Sequence, residues 1–179
     1  TVALSHVPIF RVVNTVFGET PQTMPVGWTG QDPRTYGTVM PEGIVKRGDA
    51  REAIQIHPAW RDGKAGTTML EIPVKIPEIT PIRLRFGNAV RDTRPEEPAS
   101  DGVTFRVRTL PNEWAPGAEG QVLYEKTTAE KVWQDADVDL SHLAGQTVRL
   151  QLESHPGPAN NTTCDASYWG GLTLVTGTP

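Results

Sequence analysis

The chain has 179 residues, a net charge of −4 and a single cysteine, Cys164. This length suits one domain that buries its own core. The acidic balance disfavours a nucleic-acid-binding protein, the lone cysteine excludes an internal disulfide or a cysteine-based zinc cluster, and no apolar run approaches the roughly 20 residues of a membrane-spanning helix.

Residues 1–50 are expected to form one strand and a long ordered arm that packs on the rest of the protein. The segment VPIFRVVNTVF is a candidate strand, whereas residues 18–43 are rich in Gly, Pro and Thr and show no periodicity. Flexible linkers seldom carry large apolar side chains. We therefore expect Trp28, Tyr36 and Met40 to anchor the arm on the core.

From residue 51 onward, apolar and polar residues alternate, and this pattern predicts strands with one buried face and one wet face. The clearest segments are EAIQIHP, TTMLEIPVKIP, IRLRFGNAV, VTFRVRT and TVRLQLES, and shorter ones are QVLYEKTT, VWQDADVDL and LTLV. The segment DLSHLAG predicts a short helix or tight turn. About eight strands separated by turn residues indicate an all-β sandwich.

Arginines recur on the wet faces of the predicted strands: Arg83, Arg85, Arg106, Arg108 and Arg149. If these strands are neighbours, the guanidinium groups form a patch that suits carboxylate or sulfate groups. The alternative is that the arginines pair across strands with Glu71, Glu125 and Glu153, which would leave no open patch.

Two groups of carboxylates are candidates for chemistry. Asp135, Asp137 and Asp139 alternate along one strand, whereas a glycosidase needs carboxyl groups on opposite sides of a cleft. We interpret them as a solvated strand edge that discourages aggregation. Asp101 and Asp165, together with loop carbonyls, are candidate ligands of a structural calcium ion, because calcium prefers oxygen ligands in irregular loops. The alternative is that no ion binds and Asp165 caps or anchors its loop.

Besides Trp28 of the arm, the chain has four tryptophans. Trp133 is a predicted core residue, and the other three lie in or beside turn-rich loops: Trp60, Trp114 and Trp169. Aromatic rings at loop tips can stack on the C–H face of a pyranose while polar side chains hold its hydroxyl groups. The alternative is that each ring plugs an open end of the sandwich. Because strand neighbours point to opposite faces, one of Tyr168 and Trp169 is expected to face inward.

Several motifs of the second half occur in an order that resembles the NPCBM module, a carbohydrate-binding module of the galactose-binding, discoidin-like jelly-roll type found in bacterial glycoside hydrolases. They are SDGVTFRV, VLYEKT, VDLSHLAGQTVRLQLE and DASYWGGLTLV, preceded by the pair AIQIHP and GTTMLEIPVKIP. The loop HPGPANNTTC departs from the Gly-Asp-rich loop of that family, and residues 1–50 have no counterpart. The resemblance implies a non-catalytic sugar-binding role and secretion from a bacterium.

We therefore expect an all-β jelly-roll sandwich at residues 51–179, with residues 1–50 packed on it as a strand and arm. Its expected function is to bind a polysaccharide, with acidic or sulfated glycans as one option, for an attached secreted enzyme. Nucleic acid and membrane are not expected partners. The expected ligand-binding residues are His57, Trp60, Arg85, Arg106, Asn112, Trp114, Asn160, Tyr168 and Trp169, and the candidate calcium ligands are Asp101 and Asp165.

Two other functions fit the same sequence. One is a structural or assembly domain whose aromatic residues are all buried. The other is a small polysaccharide lyase or hydrolase that uses His57 or His155 with Tyr168 as base and acid. No nucleophile elbow, zinc-protease helix or phosphate-binding loop motif is present. We therefore assign no catalytic residue and do not expect an enzyme.

Overall fold

The computed structural model describes residues 1–4, 11–112 and 118–177, which form two antiparallel β-sheets packed as a sandwich. This confirms the predicted all-β sandwich. A 3-10 helix at Ser141–Leu143 confirms the short turn predicted from DLSHLAG. Within the described ranges, we find no helix that is both long enough and apolar enough to span a membrane.

In the described residues each sheet contains seven strands. Sheet 1 consists, in spatial order, of β12 (Gln134–Asp139), β9 (Ile82–Val90), β14 (Ser167–Thr176), β6 (Asp49–His57), β5 (Thr38–Arg47) and β4 (Gly30–Gln31), with β1 (Val2–Ala3) also paired to β14. Sheet 2 consists of β11 (Gln121–Thr128), β10 (Val103–Pro111), β13 (Thr147–His155), β8 (Lys64–Lys75), β2 (Arg11–Val16) and β3 (Gln22–Thr23), with β7 (Trp60–Arg61) paired to β8.

The main core lies between the sheets, where the apolar residues of the alternating segments meet. Its fully buried aliphatic side chains include Ile56, Leu70, Ile72, Ile82, Leu84, Leu140 and Leu150. Trp169 contacts aromatic rings from both sheets, with centroids 5.1 Å from Phe86 and 5.5 Å from Phe105. Tilted and edge-to-face contacts of this kind are favourable for aromatic pairs, so these three rings help to hold the two sheets together.

Residues 1–50 are more regular than predicted. β2 lies inside sheet 2 beside β8, and the ten-residue strand β5 pairs with β6 in sheet 1. A register shift between Pro41 and Gly43 marks a bulge that interrupts the alternation of β5. Of the three expected anchors, Trp28 packs against the core, whereas Tyr36 is 38% exposed and Met40 is 40% exposed. The expectation that all three side chains are buried is therefore wrong.

The outer face of sheet 2 is more deeply buried than the alternation of apolar and polar residues predicts. Arg149 and Glu71 are each 1% exposed, and they form an ion pair with an N–O distance of 3.3 Å. Gln151 donates to Glu71 at 2.6 Å and to the carbonyl of Ala118 at 2.9 Å, and it accepts from the backbone N–H of Gly120 at 2.8 Å. The loop before β11 therefore covers this face and holds Gln151, and Gln151 supplies a hydrogen bond of the kind that a buried ion pair requires.

Trp133 is buried, as predicted, but it lies outside the main core. Its side chain packs on Ala53 and Ala89 at the outer face of sheet 1, and its indole N–H donates to the carbonyl of Asp49 at 2.9 Å. A Cβ atom at Gly170 would lie 2.5 Å from the Trp133 ring. The glycine in β14 therefore makes room for an indole that lies flat on the sheet.

Candidate functional site

Trp60 lies in a small hairpin beside the sandwich. β7 pairs only with the start of β8, through Trp60 with Ala65 and Arg61 with Lys64. The two residues between the strands, Asp62 and Gly63, have φ angles of 50° and 76°, as a tight two-residue hairpin turn requires. This hairpin keeps Trp60 out of the two main sheets, and the residue is 41% exposed.

The Trp60 indole is braced by Tyr36. The two ring centroids are 4.7 Å apart, with an interplanar angle of 30°. Tyr36 has a φ angle of 57°, a left-handed conformation that is uncommon for a bulky residue. Its backbone N–H donates to the carbonyl of Asp32 at 2.7 Å, and the N–H of Trp60 donates to the carbonyl of Thr35 at 2.7 Å. Backbone hydrogen bonds thus fix both rings relative to the same turn.

A buried carboxylate stabilises this turn. Asp32 is 0% exposed and accepts hydrogen bonds from the Thr35 hydroxyl at 2.8 Å, the Arg34 backbone N–H at 3.0 Å and the Asn14 amide at 3.5 Å. Burial alone would raise the pKa of Asp32, but the hydrogen bonds from Arg34 and Thr35 outweigh it and hold that pKa below its usual value. Thr68 donates to Asn14 at 2.7 Å and so connects the turn to β8.

Two neighbouring cavities adjoin Trp60, each with a volume of about 290 Å³. The first is lined by Trp60, Gly63, Lys64, Ala65, Asn160, Asn161, Thr162 and Thr163. The second is lined by His57, Trp60, Thr162, Thr163 and Cys164. Because both cavities share three lining residues, they form one surface. We call this surface the Trp60 surface and define it as the lining of both cavities together with Tyr36.

The Trp60 surface offers polar groups that are not used in ion pairs. Lys64 is exposed and has no ion pair within the described ranges. His57 Nδ1 lies 2.8 Å from the carbonyl of Pro58 and can donate to it, and the backbone of Thr162 forms a second hydrogen bond with the ring. Burial, with a smaller contribution from Arg91, lowers the pKa of His57. The imidazole is therefore neutral near pH 7.

The structure brings some of the sequence-predicted ligand residues together and separates others. Three of them share the Trp60 surface: His57, Trp60 and Asn160. Tyr168 lies on the outer face of sheet 1, where its ring meets Trp133 at 6.5 Å and the guanidinium of Arg47 lies 5.4 Å from its centroid. Asn112 is exposed just after β10, and Trp114 lies outside the described residues.

The expectation that Trp169 stacks on a sugar is wrong. Its side chain is 1% exposed and lies between the two sheets, so neither face of the indole can meet a ligand. Tyr168, its neighbour in β14, faces the opposite side of the sheet. The prediction that one of these two residues faces inward is therefore confirmed.

The five arginines do not form one open patch, because they lie on different sheets. Arg83 and Arg85 belong to β9 in sheet 1, and the other three belong to β10 and β13 in sheet 2. Arg106 pairs with Glu153 at 2.9 Å and also with Glu125. Together with the Glu71–Arg149 pair, these contacts confirm the alternative of pairing across strands.

A further cavity lies at sheet 1 and has a volume of about 420 Å³. We call it the sheet 1 cleft, and it is lined by Arg51, Arg85, Phe86, Asp135, Ala136, Asp137 and Gly171. Its charges are mutually paired, since Arg51 contacts Asp135 at 2.6 Å and Arg85 contacts Asp137 at 3.2 Å. Its aromatic residue, Phe86, is 3% exposed. The cleft thus presents neither an open ring face nor an unpaired cation.

The predicted solvated edge is confirmed, because Asp135, Asp137 and Asp139 lie on β12, the first strand of sheet 1, and are exposed. Arg83 contacts the carboxylate of Asp137 at 2.6 Å and that of Asp139 at 3.7 Å. The three carboxylates are therefore held along one strand rather than across a cleft.

Asp165 is a buried carboxylate with one hydrogen bond. It is 0% exposed, and its Oδ1 accepts from the Ser100 hydroxyl at 2.7 Å. Its Oδ2 has no hydrogen-bond partner among the residues that the structure describes. Burial raises the pKa of Asp165 to about 7, and the charge of Asp101 adds to the rise. No group of three His, Cys, Asp or Glu side chains in the described residues could hold a metal ion, so calcium at these two residues stays a prediction.

The residues of the predicted acid–base alternative have separate contacts. The His155 ring lies 5.5 Å from Phe17, and its Nδ1 accepts from the backbone N–H of Gly157 at 3.0 Å. Tyr168 packs with Trp133, as described above. His57, by contrast, lines the Trp60 surface. These contacts give His155 and Tyr168 structural roles.

Comparison with known sequences finds no family model that matches this chain. An uncharacterized protein of Archaeoglobus fulgidus is 32% identical over 131 residues, which cover 72% of this chain and 32% of the relative. The chain therefore spans about a third of the length of this curated relative.

Three solved structures have similar folds. TmCBM61 in complex with beta-1,4-galactotriose has a TM-score of 0.49 and 13% identity, covering 82% of this chain and 85% of that chain. A CBM4 structure has a TM-score of 0.45 and 13% identity, covering 83% of this chain and 84% of that chain. A structure from a study of carbohydrate-binding modules of the β-sandwich superfamily has a TM-score of 0.42 and 10% identity, covering 87% of this chain and 66% of that chain. At this distance the ligand has to be argued from the side chains of this chain.

Proposed function

We propose that this chain is a non-catalytic carbohydrate-binding module that binds a saccharide at the Trp60 surface. The observation that carries this proposal is an indole that is 41% exposed, braced by Tyr36, and bordered by amide and hydroxyl side chains. The apolar face of a pyranose can stack on such a ring, while neighbouring polar groups hold its hydroxyls.

The exposure of Trp60 argues against a role as a plug. A plugging tryptophan would be sealed in the way that Trp169 is, at 1% exposure. Trp60 is instead kept outside the sheets by its own hairpin, and Tyr36 is held beside it in an unfavourable backbone conformation. Local strain of this kind persists where the surrounding structure imposes it, and it is frequent at functional sites. A ring pair that is fixed before binding loses little entropy when a ligand arrives.

We propose that the ligand is a polysaccharide with acidic or sulfated units. The arginines no longer support this idea, but Lys64 does. It lines the first cavity, and no carboxylate side chain lines either cavity of the Trp60 surface in the described ranges. A carboxylate or sulfate group of a ligand could therefore approach this ammonium group without displacing an existing partner.

We also propose that the module serves an attached enzyme in a secreted bacterial protein. The Archaeoglobus relative supports the presence of further domains, because this chain matches only 32% of it. A calcium ion bound by Asp165 and Asp101 remains part of the proposal and is supported by the unpartnered Oδ2 of Asp165. Adding calcium to chelator-treated protein should then raise its melting temperature in the wild type and not in Asp165→Asn.

A glycan array followed by calorimetric titration tests the proposed function. The array should contain neutral, uronic and sulfated glycans, and we expect single-module affinities of roughly −4 to −8 kcal/mol. Trp60→Ala should weaken binding at least about tenfold, which is about 1.4 kcal/mol. Ile44→Ala is the matched control, because Ile44 is 71% exposed and lines neither cavity. An empty array, or equal affinities of wild type and Trp60→Ala, would contradict the proposal.

A further inference from the structure

We infer that the Trp60 surface contains two adjacent sugar subsites that meet at Trp60, so that it recognises consecutive units of a glycan chain. This inference rests on the proposed function. The two cavities have similar volumes, about 290 Å³ each, and they share Trp60, Thr162 and Thr163. Both are open to solvent, so a glycan chain could continue beyond either of them.

The two subsites differ in chemistry. The first extends toward Lys64 and the amides of Asn160 and Asn161, so it offers a cation and several neutral hydrogen-bonding groups. The second extends toward the neutral imidazole of His57 and the thiol of Cys164. An acidic group is favoured in the first subsite, because Lys64 lines that cavity and no cation of the described residues lines the second.

The shared wall is fixed before any ligand binds. The backbone N–H of Thr163 donates to the Asn161 side chain at 2.8 Å, and the N–H of Asp165 donates to the carbonyl of Thr162 at 3.2 Å. The N–H of Asn160 donates to the carbonyl of Gly157 at 3.1 Å. Because these bonds hold the loop, Thr162 and Thr163 can contact both sugars without a rearrangement that would weaken binding.

Trp60 is the residue that couples the subsites. Tyr36 packs against the indole, so the ring is held while it borders both cavities. A disaccharide would contact the indole through both of its units. Filling the second cavity should therefore add affinity to the first, and a third unit should find no further cavity among the described residues of this surface.

The test is a length series measured by calorimetry. The probes are the mono-, di- and trisaccharides of the glucose, galactose, mannose and galacturonic acid series. For the series that binds, we expect the disaccharide to bind at least tenfold more tightly than the monosaccharide, and the trisaccharide to gain no more than about threefold. Trp60→Ala should weaken every member of that series.

Alkylation of Cys164 with N-ethylmaleimide identifies the second subsite. The thiol adds across the maleimide double bond and its proton passes to the neighbouring carbon, so the adduct obstructs only the cavity that Cys164 lines. We expect the alkylated protein to bind the disaccharide no more tightly than the monosaccharide. Wild-type protein incubated with reagent that was first quenched with excess thiol is the matched control and should keep the tenfold difference, because Cys164 is the one cysteine of the chain.

The two proposals fail in different ways. If the mono- and disaccharide bind equally and both depend on Trp60, the two-subsite inference is overturned while the proposed function survives. Equal loss of monosaccharide and disaccharide binding after alkylation would also overturn it. If no member of any series binds and the glycan array is empty, the proposed function itself is contradicted, and the inference is contradicted with it.

Discussion

The Trp60 surface and the sheet 1 cleft differ in how their polar groups are used. The cleft is the larger cavity, at about 420 Å³ against about 290 Å³ for each cavity beside Trp60. Its charges, however, are already satisfied in the pairs Arg51–Asp135 and Arg85–Asp137. A ligand there would have to compete with existing ion pairs, whereas at the Trp60 surface it meets an open ring and an unpaired lysine. The proposed site is therefore chosen by its unpaired groups rather than by cavity size.

The largest expected effect separates the buried tryptophan from the exposed one. Trp169→Ala should destabilise the fold by about 3–5 kcal/mol, because it removes a ring that contacts Phe86 and Phe105 in the core. Trp60→Ala should cost less than about 1 kcal/mol, since its ring is largely outside the core. Urea denaturation measures both values. If the two variants lost equal free energy of unfolding, Trp60 would be a structural residue like Trp169, and the contrast between the two tryptophans would not hold.

The next effect concerns the buried carboxylate of Asp165. Because the folded-state pKa of Asp165 is raised to about 7, its contribution to stability is fully present below pH 4 and is lost as the pH rises through about 7. Relative to Asp165→Asn, the wild type should lose on the order of 1–3 kcal/mol between pH 4 and pH 8. Denaturation curves at several pH values, recorded with a chelator, measure the difference. Parallel pH profiles of the two proteins would contradict the account.

A smaller effect tests whether the unpaired lysine selects the ligand. Lys64→Gln should weaken binding of uronic or sulfated glycans by about three- to tenfold and leave neutral glycans within about twofold, since it removes one charge-assisted hydrogen bond. Lys46→Gln is the matched control, because Lys46 is an exposed lysine of β5 that lines neither cavity. If both variants lose acidic glycans equally, the loss reflects net charge rather than the Trp60 surface.

The smallest effect is expected at the sheet 1 cleft. Arg85→Gln should change stability by less than about 1 kcal/mol, because its ion pair with Asp137 is half-exposed. It should also leave glycan affinity unchanged within about twofold, as measured by calorimetry. A large loss of affinity in Arg85→Gln would move the binding site to the cleft and reverse the comparison between the two regions.

Much of the fold was predictable because alternation reports which residues of a strand share a face. It does not report which sheet a strand joins, and for that reason the sequence leaves open a patch of Arg85 and Arg106, which in fact belong to different sheets. β5 was missed because Pro41 and Gly43 break its alternation at a bulge. A local pattern thus predicts the strands, but the pairing between distant segments decides what their outer faces meet.

The candidate site was predictable only in part, for a related reason. His57, Trp60 and Asn160 are chemically suited to sugar binding, and tertiary structure brought them to one surface. Tyr36 was interpreted as an anchor because its left-handed conformation, which keeps the ring beside Trp60, is not encoded in hydrophobic periodicity. The glycine that follows Tyr36 was the available signal, since it marks a turn.

The most direct test of the account follows the indole N–H resonances in a two-dimensional ¹⁵N NMR titration with the glycan that the array identifies. The Trp60 signal is assigned by its absence from the spectrum of Trp60→Ala. We predict that this signal shifts progressively to saturation, while the signals of Trp133 and Trp169 stay in place. A titration in which the Trp60 signal stays fixed while another indole signal shifts would contradict the claim that the saccharide binds at the Trp60 surface.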